Sequence, residues 1–187
     1  MRKRIFKLTS LLAASGLAAG LALNAAGPAG ASVNPVPGTF YELYLPNLAN
    51  PSYNVCLDVP NASPASSIGM QIYHCHGYAS NGGGQRWEMD WVGSGYEIVN
   101  LRSVLCLTWQ GPGQVVNQQP CDRDLYEQWN FQETVGVPNV FQLYSLEDTE
   151  DCLAAANNSG GNSTQVIAQS CAFVGDSRLS QQYFALG

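Results

Sequence analysis

His74 and His76 are the only imidazoles in the chain, set one residue apart in the stretch Gln71-Ile72-Tyr73-His74-Cys75-His76. On a strand, residues at that spacing share a face. With Asp58 or Glu88 as a carboxylate partner, the two rings could serve acid–base catalysis or hold a metal ion. The companions that such chemistry needs are missing: the sequence has no serine in a nucleophile-elbow context, no His-Glu-x-x-His and no glycine-rich phosphate loop. An enzyme is therefore not expected, and the pair reads as exposed strand polars. The acidic run Glu147-Asp148-Thr149-Glu150-Asp151 lacks the spaced oxygen ligands and the glycine of a calcium loop, so it reads as a solvated turn. No cofactor or metal is expected. Six cysteines contain no Cys-x-x-Cys, which points away from zinc and toward disulfides.

The elements that must position these residues recur three times. Each copy opens with a stretch of period-two alternation, the mark of a half-buried strand: Tyr41 to Leu45, Tyr96 to Leu101 and Phe141 to Leu146. A Cys-Leu pair follows, at Cys56-Leu57, Cys106-Leu107 and Cys152-Leu153. Turn-rich intervals come next (Pro60 to Gly69, Gly111-Pro112-Gly113 and Asn157 to Gly161), and a second cysteine closes a short strand at Cys75, Cys121 and Cys171. The copies end on Gln85-Arg86-Trp87, Glu127-Gln128-Trp129 and Gln181-Gln182-Tyr183. A supersecondary unit repeated at about 50 residues cannot bury its apolar face alone, so the three copies must pack together. Six cysteines allow about 15 pairings, but two cysteines flanking one turn in every copy predict Cys56–Cys75, Cys106–Cys121 and Cys152–Cys171. Trp87, Trp129 and Tyr183, at equivalent places, read as core.

The N-terminus sets Arg2, Lys3, Arg4 and Lys7 ahead of an uncharged stretch rich in Leu and Ala, then Ala29-Gly30-Ala31. That order predicts a secretory signal over residues 1–31, with cleavage before Ser32 and export from the cell. Residues 32–39, with two prolines and no apolar periodicity, read as a flexible leader, and 40–187 as one domain. Four of the 8 basic residues lie in the signal, while all 14 carboxylates lie after it. The remaining surface repels phosphate backbones and anionic lipid heads, so neither nucleic acid nor a membrane surface is an expected partner. A neutral ligand is not disfavoured. The sequons at Asn61, Asn157 and Asn162 offer glycosylation sites to a source that glycosylates.

Cys56-Leu57-Asp58-Val59, Gln71 to Cys75 and Gln85-Arg86-Trp87, taken in triplicate, resemble the ricin-B-type lectin domain over residues 40–187. The resemblance implies an all-β fold, a β-trefoil of three cysteine-stapled units. It also implies a shallow sugar site in the first copy: Asp58 as hydroxyl acceptor, Gln71 as the polar neighbour, Tyr73 as the stacking face and Gln85 opening the terminal motif. Carboxylate, amide and aromatic face are the types that hold a pyranose. Gly84 stands where the family usually has Asn, with Asn81 nearby in a lengthened loop. The set is lost elsewhere. Thr108, Asn117 and Gln119 stand in the second copy, and Ala154, Ile167 and Gln169 in the third. At most one sugar site is thus expected, with neutral glycan as partner. The alternative is a trefoil that binds a protein, as an inhibitor or adhesin, through loops on the rigid scaffold.

Overall fold

The computed structural model describes residues 35–46, 54–77, 82–134 and 139–187. The expected signal and its expected cleavage site, residues 32–34 and Asn81 lie outside them. Thirteen short strands form the fold: β1 (Phe40–Tyr41), β2 (Leu43–Leu45), β3 (Val55–Asp58), β4 (Gln71–His74), β5 (Trp87–Trp91), β6 (Tyr96–Asn100) and β7 (Cys106–Thr108). The chain continues through β8 (Asn117–Gln119), β9 (Gln128–Glu133), β10 (Phe141–Ser145), β11 (Asp151–Ala155), β12 (Thr164–Ser170) and β13 (Ala185–Leu186). Every pairing is antiparallel.

Each repeat contributes four strands, the first of them split in the first repeat into β1 and β2. Neighbouring repeats meet where β5 pairs with β6, β9 with β10 and β13 with β2, while within the second repeat Tyr96 of β6 faces Trp129 of β9. Phe141 and Phe184 exchange backbone hydrogen bonds of 2.9 and 2.8 Å, and β1 joins β5 with Tyr41 opposite Trp87. The sheet therefore closes on itself, which removes exposed edges. The hairpins β3–β4, β7–β8 and β11–β12 cap one end, and there the threefold relation is carried by backbone alone. Met70 N–H donates to Val116 O (2.8 Å), Val116 N–H to Val166 O (3.0 Å) and Val166 N–H to Met70 O (3.0 Å), a closed ring of three buried residues.

The three Cys-Leu leucines, Leu57, Leu107 and Leu153, are fully buried beside Trp87, Trp129, Met89, Ile98 and Phe141. The indole N–H of Trp87 donates to Leu57 O (3.1 Å) and that of Trp129 to Leu107 O (2.9 Å), so each large ring also satisfies a buried carbonyl. The disulfides are those the repeat predicts, Cys56–Cys75, Cys106–Cys121 and Cys152–Cys171.

One reading needs correction. In the third repeat the core ring is Phe184, fully buried, and Tyr183 is only partly covered. The motif there is Gln182-Tyr183-Phe184, one residue later than the sequence reading, because adjacent glutamines at 181 and 182 leave the register open. Ahead of β1, residues 35–39 form a turn. Pro35 is buried, Thr39 N–H donates to Val36 O (3.1 Å) and Val36 N–H donates to the Tyr41 hydroxyl oxygen (2.9 Å).

Candidate functional site

In the first repeat, register decides which side chains meet. Leu57 faces Ile72 across β3 and β4, and both point into the core. Their neighbours point the other way: Asp58 lies opposite Gln71, and Cys56 opposite Tyr73. Gln71 Nε2 donates to Asp58 Oδ2 at 2.7 Å, while Asp58 is only 3% exposed and forms the floor of the site. Two residues beyond Gln71 along β4, the ring of Tyr73 stacks on His76, with centroids 5.6 Å apart and planes inclined by 27°. His74 meets His76 edge-on at 6.2 Å, and its backbone N–H donates to Asn162 Oδ1 of the third repeat (2.8 Å). The two histidines are thus part of an aromatic cluster around Tyr73.

Gln85 does something other than the family resemblance implies. It is 1% exposed, its Nε2 donates to His74 O (3.1 Å), and its Oε1 accepts from His76 N–H (3.0 Å). Both ends of the amide hydrogen-bond backbone on either side of Cys75, so Gln85 fixes the segment that carries Tyr73 and His76. Gln182 repeats the geometry around Cys171, donating to Ser170 O (3.0 Å) and accepting from Ala172 N–H (2.8 Å). Glu127 holds that place in the second repeat, where its Oε2 accepts from the N–H groups of Asp122 (2.8 Å) and Arg123 (3.2 Å).

Gly84 leaves little room for the family's Asn. A side chain there would meet Ala62 Cα at 3.1 Å and Val59 O at 3.2 Å. The chain is drawn in at this point because Val59 N–H donates to Gly84 O (3.0 Å).

Register also places Thr108 opposite Asn117 with Gln119 facing Cys106, and Ala154 opposite Ile167 with Gln169 facing Cys152. Neither repeat rebuilds the acceptor–amide–aromatic set. The second, however, has a cavity of about 410 Å³ whose walls include Trp109, Asp122, Asp124 and Tyr126. Sequence reasoning missed it. The one available signal was Trp109, directly after the position that Asp58 holds in the first repeat.

The ricin-type β-trefoil lectin domain model matches residues 46–183. The search of curated protein sequences returns no match. Among solved structures, the designed threefold-symmetric protein ThreeFoil superposes with a TM-score of 0.65 at 22% identity, covering 79% of this chain and 96% of that one. The Macrolepiota procera ricin B-like lectin, solved with lactose, gives 0.63 at 15% identity, covering 82% of this chain and 97% of the other. The C-half of the earthworm R-type lectin, solved with GalNAc, gives 0.57 at 15% identity, covering 79% and 98%. With the threefold strand order, the repeated disulfides and a family match across nearly the whole described domain, the chain belongs to the ricin-type β-trefoil lectin domain family.

Proposed function

We propose that this chain is a secreted, non-catalytic carbohydrate-binding domain whose sugar site lies in the first repeat, on Asp58, Gln71 and Tyr73. The observation that carries the reading is the Asp58–Gln71 pair, held at 2.7 Å on the same strand faces as Tyr73. A carboxylate offers about four acceptor positions, so Asp58 can take hydroxyl protons while keeping Gln71. Gln71 in turn fixes the carboxylate before any ligand arrives, which lowers the ordering cost of binding. The face of Tyr73 suits the C–H side of a pyranose. Lactose and GalNAc bound to relatives of this fold support a neutral sugar as the ligand class.

The test is titration calorimetry of the mature protein against its best glycan from an array. A shallow site of this kind predicts an affinity of about 0.1–1 mM. Asp58→Ala removes a charged acceptor of about 1.5–3 kcal/mol and should take binding below detection, with circular dichroism checking the fold. Undiminished binding by folded Asp58→Ala protein would overturn the assignment. A protein partner is the second reading, favoured by Phe173 and Val174, which are 79% and 76% exposed. Failure of the wild type to bind any glycan would support it.

A further inference from the structure

We propose that the three disulfides differ in their resistance to external thiols: Glu42 and Glu97 shield the first two bridges, and Cys152–Cys171 is the thiol-cleavable one. The bridges are otherwise built alike. In each, the first cysteine (Cys56, Cys106 or Cys152) is fully buried, so a thiol must attack the second, which is Cys75, Cys121 or Cys171. What differs is the residue that follows the opening aromatic of each repeat, as Tyr41-Glu42, Tyr96-Glu97 and Phe141-Gln142.

A carboxylate oxygen of Glu42 lies within 4.8 Å of both Cys56 Sγ and Cys75 Sγ, and one of Glu97 within 4.8 Å of both Cys106 Sγ and Cys121 Sγ. Among the described residues, Oε1 of each glutamate is buried without a hydrogen-bond partner, and the salt bridge recorded, Arg178–Asp176, includes neither. Burial raises the Glu97 carboxyl above its ordinary value against the opposing charge of exposed Arg123, and Asp90 and Asp122 add negative charge around it. Glu127 brings another carboxylate to the second bridge, where it accepts the N–H of Asp122, next to Cys121. In the third repeat the equivalent place belongs to a neutral amide. Gln142 Nε2 donates to Ala172 O (3.2 Å) and to Gln182 Oε1 (2.8 Å), beside Cys171. Asp151 adjoins Cys152 in sequence, but its Oδ2 accepts from the Trp109 indole. Among the described residues, no carboxylate oxygen lies within 4.8 Å of both sulfurs of this bridge.

Thiol–disulfide exchange carries negative charge through the attack and the departure. An external thiolate attacks Cys171 Sγ, the Cys152–Cys171 bond breaks, and Cys152 leaves as a thiolate. A second external thiol then resolves the mixed disulfide. Two thiols end as one disulfide, and their two electrons and two protons end on Cys152 and Cys171. A carboxylate beside the sulfurs repels the incoming thiolate and raises the pKa of the thiol that must leave, and both effects slow the exchange. With charge within 4.8 Å of the sulfurs, each shielded bridge should open at least about tenfold more slowly than the third. Exposure alone predicts a different order, with the second bridge first, because Cys121 is exposed while Cys75 and Cys171 are half-buried.

The experiment treats the folded, full domain with reduced glutathione at about pH 8, above the carboxylate range. Free thiols are trapped by alkylation at timed intervals and assigned by peptide mass. Cys152 and Cys171 should be labelled first. Glu97→Gln should speed the opening of Cys106–Cys121 about tenfold and leave the other two rates unchanged, and Glu42→Gln should do the same for Cys56–Cys75. Loosened packing would move all three rates together, which separates it from a local effect of charge, and circular dichroism checks the fold. First labelling of any pair other than Cys152 and Cys171 would overturn the proposal. So would simultaneous opening of all three bridges, or an unchanged rate at the altered bridge in either folded variant.

Discussion

Glu127→Gln should stabilise the protein at neutral pH and leave it nearly unchanged in acid. Gln85 and Gln182 each accept one backbone N–H beyond the second cysteine and donate to the carbonyl just before it. Glu127 accepts from Asp122 and Arg123, but an ionised carboxylate has no proton for the corresponding carbonyl, that of Pro120. Burial raises its pKa from the ordinary 4.5, and the charge of nearby Asp122 adds to this against the backbone donors. The folded state therefore binds this proton more tightly than the unfolded chain does. The resulting stability is fully present below the ordinary value and is lost as pH rises through the raised one. Each unit of that shift corresponds to about 1.4 kcal/mol. Glutamine keeps the acceptor, supplies the missing donor, worth about 1 kcal/mol, and has no charge to desolvate. Relief of Asp122 from a like-charged neighbour acts in the same direction. Thermal melts of wild type and variant should nearly coincide at pH 4. At pH 8 the variant should melt about 2–4 °C higher for each kcal/mol gained. Parallel pH profiles for the two proteins, or a variant less stable at pH 8, would refute the reasoning.

Gly84→Asn, which restores the family's usual residue, should destabilise rather than improve the first site. Its Cβ would press on Ala62 Cα and Val59 O at 3.1 and 3.2 Å, and overpacking of this kind costs about 1–3 kcal/mol, readable as a lower urea midpoint. The paired change Cys106→Ala with Cys121→Ala opens the shortest of the three bridged loops, of separation 15. It should cost about 3 kcal/mol and lower the melting temperature by about 6–12 °C without abolishing sugar binding in the first repeat; loss of that binding in a folded variant would show the repeats to be coupled.

The architecture was readable because each repeat carries its own strand alternation, its Cys-Leu pair and its closing cysteine, and these are properties of residue type and order. The disulfides followed from the same symmetry. The end of the third repeat was misplaced by one residue because Gln181 and Gln182 are alike in sequence, while only Gln182 reaches Ser170 O and Ala172 N–H. The backbone bonds of Gln85 were illegible for a related reason. A glutamine's type does not reveal whether it addresses a ligand or the backbone, and only its burial and its two partners decide. The cavity of the second repeat was hidden because its wall is assembled from distant segments: Trp109 is held by Asp151, 42 residues away and in another repeat.

The ring formed by Met70, Val116 and Val166 ties the three copies together through backbone alone. Each link is an amide of one repeat giving its proton to the carbonyl of another, and the third returns to the first. Within the ring each of these three amides donates once and each of the three carbonyls accepts once, so the buried backbone is satisfied across the repeats. The links are peptide groups, so the side chains around them are free to drift, and one repeat can exchange Asp58's counterpart for Thr108, and another for Ala154, while the count stays at three.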